Sequence, residues 1–128
     1  MLDRLTCTRG QDLVEYALIL PLLLMLFLGI MEFGIVVFTY DSIANAAREG
    51  ARYGIIHPSE TGNIEAAARL STSGLHQEAL QVRITRPTSD TIQVAVDYYH
   101  DLITAPIIQS VGGNPAVHLR TVSTMRIE

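Results

Sequence analysis

Residues 16–31 contain no charged side chain, and residues 18–28 are almost wholly aliphatic around one proline, Pro21. Past Glu32 the apolar run resumes as "FGIVVFTY". A helix needs roughly 20 mostly apolar residues to cross the hydrocarbon core of a bilayer. Residues 13–40 supply that length with only two carboxylates, Glu15 and Glu32, inside it. Pro21, Gly29 and Gly34 would weaken a helix in water. In a membrane the proline is tolerated, and small residues let helices approach closely. The apolar core of a secretory signal peptide is shorter, about 7–15 residues. "ANAA" at 44–47 offers Ala44 and Ala46 as a cleavage pattern, but Glu32 and Asp41 intervene before it. The run predicts a membrane-spanning helix.

Helical character persists beyond it. "DSIANAAREGARYG" is rich in alanine and carries Arg48 and Arg52 four residues apart, with Glu49 beside them, as one solvated face. Gly54 and Pro58 read as stop signals. A helix from Asp12 to Tyr53 would be about twice as long as a bilayer core is thick, so its end is expected to project from the membrane. The rest of the 128 residues must form a small core or lean on that helix. Asn63 is read as the N-cap of a short helix over "IEAAARL", with Glu65 in its first turn and Gly74 closing it.

Three stretches then alternate with period two. Leu80, Val82 and Ile84 share one face of "LQVRITR"; "PTSD" turns the chain; Ile92, Val94, Val96 and Tyr98 share one face of "TIQVAVDYY". In "VHLRTVSTMRIE", Val117, Leu119, Met125 and Ile127 fall on one parity, and Arg120, Arg126 and Glu128 on the other. "HDLITAPIIQSVGGNP" between the last two reads as a loose connection. The fold class expected is α+β: a long membrane-spanning helix projecting into a small domain of one short helix and a three-stranded antiparallel sheet. The segments are 1–10 as a leader, 11–56 as the long helix and 57–128 as the exported domain.

The net charge of −4 leaves no basic stripe to displace counterions from a phosphate backbone, so nucleic acid is not an expected partner. Arg4 and Arg9 precede the apolar run, which places the N-terminus in the cytoplasm and the C-terminus outside. The single cysteine, Cys7, permits no intramolecular disulfide. His57, His76, His100 and His118 lack metal-ligand spacing. The nearest approach to a cluster is His100 beside Asp97 and Asp101, read as polar groups at a strand end. No nucleophile elbow or phosphate loop is present. The sequence therefore predicts no enzyme, no metal and no cofactor.

What remains is the carboxylate at the mouth of the apolar run. "GQDLVEYALILPLLL" resembles the start of a type IV-type prepilin: a short charged leader, a glycine, and an apolar helix with glutamate as its fifth residue. "LILPLLLMLFLGIMEFG" with "NAAREGARYG" resembles the TadE-like pseudopilins of tight-adherence (Flp-type) pilus systems, and Glu15-Tyr16 after Gly10 is similar to the processing motif of that branch. The resemblance is specific over residues 9–54. It implies that a prepilin peptidase cuts between Gly10 and Gln11, and that Glu15 and Tyr16 serve helix assembly and register. The expected partners are that peptidase, other pilin or pseudopilin subunits, an inner-membrane assembly platform and membrane lipid. Glu32 is a candidate subunit contact, with snorkelling to the far interface as the alternative. Major pilins of this type are little more than the apolar helix, so a folded domain favours a minor subunit. The competing expectation is an unprocessed single-pass protein whose exported domain scaffolds an envelope complex.

Overall fold

The computed structural model describes residues 8–127. The leader residues 1–7, with Arg4 and Cys7, and the terminal Glu128 lie outside the described residues. The elements run α1 (Thr8–Ile56), α2 (Thr61–Leu70), a 3-10 turn (Gln77–Ala79), β1 (Leu80–Thr88), β2 (Thr91–Asp101), α3 (Ala105–Ser110) and β3 (Ala116–Arg126). The architecture is α+β, with a long apolar helix, a short helix and an antiparallel sheet ordered β1-β2-β3. The chain divides into two compact units, one up to Phe33 and one from Gly34 to Glu128.

The first unit is the apolar part of α1. It includes Pro21, and Gly29 has open space around it. Apart from half-buried Leu28, its large apolar side chains are exposed, from Leu23 at 43% to Tyr16 at 76%. Water would penalise such a surface heavily; lipid or neighbouring helices would not. This helix is long and apolar enough to cross a membrane.

The second unit contains the sheet and the remainder of α1. Here Thr39, Ile43, Ala46, Ala47, Gly50, Ala51 and Gly54 are buried, at the three- and four-residue intervals that keep one helix face toward a core. Small residues along this face let α1 lie close on its neighbours. A side-chain carbon at Gly50 would stand 3.1 Å from Ala68 Cβ and 3.2 Å from Val94 Cγ1. One at Gly54 would collide with Ile92 Cδ1. Gly54 was expected to stop the helix, yet α1 passes through it and ends at Ile56. The glycine is there for proximity, and Pro58 disfavours helix in the residue before it. Arg48, Glu49 and Arg52 face outward.

The sheet supplies the other wall. Leu80 on β1 and Ile92, Val94, Val96 and Tyr98 on β2 are buried with Ile43, Ile64 and Ala68 in a single core. Leu119, Met125 and Ile127 pack against it. The alternating parity read from the sequence holds on β1 and β3, while on the central β2 Ala95 and Asp97, of the other parity, are buried as well. The β1–β2 hairpin pairs Leu80 with Tyr98, and the β2–β3 pairing runs unbroken from Thr91↔Arg126 to Asp101↔Ala116. Thr121 adds a polar tie, its Oγ1 donating to the Ile43 carbonyl of α1 at 3.1 Å. That carbonyl retains its own helical partner, so Thr121→Val removes a bond without stranding an acceptor. The expected loss is about 1 kcal/mol, read as a lowered midpoint in thermal unfolding of the full chain in detergent.

Three local expectations are corrected. Asn63 lies inside α2, which starts at Thr61 after Glu60. Its side-chain amide instead donates to Glu60 Oε2 at 2.7 Å, and the Tyr53 hydroxyl reaches the same oxygen at 3.3 Å. The Asn63 hydrogen bond, helped by His57 and Tyr53, holds the Glu60 carboxyl below its usual range. Gly74 does not close α2 either; the helix ends at Leu70 with Ser71 as its cap. Finally, the connection read as loose contains α3. Six residues are too few to display a helical period, so only its capping residues could have announced it.

Candidate functional site

The site proposed from sequence lies on α1. Gly10 has nothing within 4 Å of the position a side chain would take, and helix α1 runs through the Gly10–Gln11 bond. Gln11 is exposed, as is Glu15 one helical turn later. Asp12, Glu15, Tyr16 and Ile19 line one shallow groove, because spacings of three, four and seven share a helix face. Immediately beyond, Ile19, Leu22, Leu23, Met25 and Leu26 line a second concavity with almost no polar surface. Glu15 has no hydrogen-bond or ion-pair partner among the described residues. A carboxylate at the border of an apolar helix face is a group in search of a cation or donor.

Glu32 differs. It is buried, at 8% exposure, in the chain itself. The two carboxylates inside the apolar run are therefore physically unlike, one exposed and one buried. Sequence spacing alone could not separate them.

Elsewhere the titratable groups are dispersed. His100 and Asp97 do not form a site of their own. The two residues have opposite parity on β2, and Asp97 is instead met across the strands by His118 Nε2 at 3.0 Å and Arg120 Nε at 3.7 Å. Tyr99 stacks on the His118 ring with centroids 4.7 Å apart. The sheet register, Asp97↔Arg120 and Tyr99↔His118, produces this cluster, and strand parity was the signal that could have located it. His100 has a buried Nε2 with no hydrogen-bond partner among the described residues. Among the same residues no group of three or more His, Cys, Asp or Glu side chains could hold a metal.

The geometry thus concentrates unusual chemistry on the N-terminal part of α1, and comparison with known proteins points to the same segment. Residues 10–52 match the family model of TadE-like proteins. The TadE-like segment runs from the Gly10–Gln11 bond through Glu15, Tyr16 and Glu32 to the close-packed face that carries Gly50. No curated protein and no solved structure matches the chain.

Proposed function

We propose that the protein is a pilin-like structural subunit of a tight-adherence-type pilus. A prepilin peptidase cuts it after Gly10, and it assembles through the N-terminal part of α1. The TadE-like match supports pilus association. The observation that carries the finer reading is Glu15: an exposed carboxylate on an apolar helix, without a partner among the described residues, one turn after Gln11.

Cleavage would create a protonated amine at Gln11. That amine, on the same or a neighbouring subunit, is a fitting counter-charge for Glu15 where the dielectric falls. Of the roles open to a buried polar pair, setting register between helices is the best attested. Tyr16 would contribute the adjacent interfacial ring. Before assembly the chain sits in the inner membrane with its N-terminus in the cytoplasm and its sheet domain exported, in contact with lipid and the assembly platform. The domain marks it as a minor subunit rather than the bulk of the filament. Glu32 remains a candidate contact of second rank, since its burial leaves little for a neighbour to touch.

The test is the N-terminus of protein recovered from membranes, by intact mass and N-terminal sequencing. The wild-type chain is expected to begin at Gln11. A Gly10→Leu variant, and the wild type in a strain lacking the peptidase, are expected to keep the leader. A wild-type chain that keeps its leader would be a single-pass membrane protein. One beginning at Ala47 would be a secreted domain. Either result defeats the pilin reading.

A further inference from the structure

The connection between β2 and β3 is built, not loose. The Leu102 N–H donates to the Pro115 carbonyl at 3.0 Å and closes its base. Within it, α3 starts after Thr104 with proline in its first turn. It ends in a double closure: Gly112 N–H donates to Gln109 O at 3.0 Å and Gly113 N–H to Ile108 O at 2.9 Å. Gly112 has φ of +81°, and a side-chain carbon at Gly113 would stand 2.6 Å from Ile108 Cγ2. This is the Schellman arrangement, in which glycine supplies the left-handed turn. The chain has spent its two adjacent glycines on fixing this short helix.

The fixed helix presents large apolar side chains to the outside. Ile103 is 54% exposed, Ile107 47% and Val111 82%; Ile107 lies in α3, and Ile103 and Val111 flank its two ends. From Leu102 to Val117 there is no Asp, Glu, Arg, Lys or His.

The position of this ridge in the Gly34–Glu128 unit indicates its partner. Strand β2 runs antiparallel to α1. Gly54 faces Ile92 and Gly50 faces Val94, while Ile35, Phe38 and Thr39 share a cleft with residues 98–101. The connection therefore leaves β2 at the end of this unit where the chain arrives from the apolar segment. Val37 and Phe38 are exposed at that end as well.

We propose that the β2–β3 connection is a lipid-contacting foot. Ile103, Ile107 and Val111 rest at the headgroup–acyl boundary of the bilayer that holds the apolar segment, while the subunit awaits assembly. The inference rests on the membrane-spanning part of the proposed function. Exposed apolar side chains on a segment that itself carries no charge suit an interfacial layer about 5–10 Å deep. A specific protein partner would call for a polar rim; residues 102–117 offer only the uncharged Thr104, Gln109, Ser110 and Asn114. Two contacts with the membrane, helix and foot, would fix the orientation of the sheet domain before extraction.

The chain has no tryptophan, so single-tryptophan variants report without background. Full-length Val111→Trp, Ile107→Trp and, in the β1–β2 turn at the other end of the sheet, Ser89→Trp are reconstituted into phosphatidylcholine vesicles with or without brominated acyl chains. Each preparation is checked by flotation. Tryptophan at 111 and 107 is expected to emit to the blue of the Ser89→Trp control and to lose more than half its intensity in brominated lipid, with the control unchanged. If the chains float but tryptophan at 111 and 107 is unquenched, the foot is overturned and the span stands. Blue emission without quenching means that protein covers the ridge, which also overturns the foot, as does equal quenching of the control. Failure of every variant and of the parent to float defeats the span, and the foot with it.

Discussion

Gly54→Leu is expected to unfold the sheet domain at temperatures where the parent is folded. The first side-chain carbon would already collide with Ile92 Cδ1 and stand 3.3 Å from Ile64 Cδ1. Both isoleucines are fully buried, so neither has solvent to retreat into. Leucine would gain roughly 1 kcal/mol over glycine in helix propensity. Overpacking a core costs typically about 1–3 kcal/mol and occasionally more. Placing its Cβ already requires the buried tip of Ile92 to move, and the rest of the leucine needs more room still, so collision wins over propensity. For a domain of this size each kcal/mol lowers the midpoint by about 4–8 °C. A fall of more than about 10 °C is therefore expected in thermal unfolding of the full chain in detergent, with earlier proteolysis of residues 57–127. Gly62→Ala is the control, because open space surrounds that position in α2; it should hold or raise the midpoint. If Gly54→Leu melts with the parent, the close approach of α1 to Ile92 is wrong.

That glycine also shows what a sequence conceals. The alternation of Leu80, Val82 and Ile84, and of Ile92, Val94, Val96 and Tyr98, determined the sheet faces because a strand with one wet side has only two parities to choose between. The apolar run defined the first part of α1 for an equally simple reason, length against bilayer thickness. Local punctuation was read less well. Gly54 looks like a helix terminator in isolation, since glycine is unfavourable in a helix interior, and only the neighbouring Ile92 explains why it is retained. Asn63 looks like a cap until Glu60 claims its amide. α3 was missed because six residues show no helical period, and Gly112 and Gly113, which close it, look in isolation like loop residues. At the candidate site, Gly10, Gln11, Glu15 and Tyr16 were legible because they lie within one short stretch of a single helix. The difference between Glu15 and Glu32 was not legible, because exposure is decided by packing and both carboxylates interrupt the same apolar run. Asp97 and His118 are 21 residues apart, and their meeting depends on a register that no local pattern states.

Glu15→Leu is expected to remove the subunit from filaments while leaving its leader cleavage and membrane level unchanged. In the assembled bundle the carboxylate and the Gln11 amine would be desolvated together. Replacing one partner strands the other, and breaking a buried pair in this way costs about 3–5 kcal/mol. At 1.4 kcal/mol per factor of ten, the incorporated amount should fall by about 100- to 1000-fold or more at equal membrane abundance. Glu15→Asp keeps the charge on a side chain one methylene shorter and should incorporate at an intermediate level. Leucine is the sharper test of the two, since it improves the apolar character of the helix and cannot fail for want of membrane insertion. Quantitative immunoblotting of sheared filaments against membranes, with the N-terminus checked by mass, separates the outcomes. Parental incorporation of Glu15→Leu would show that the carboxylate only marks the end of the apolar run at the headgroups. Loss of cleavage would instead assign it to peptidase recognition. Loss of incorporation with cleavage intact leaves helix register as the function of the charge.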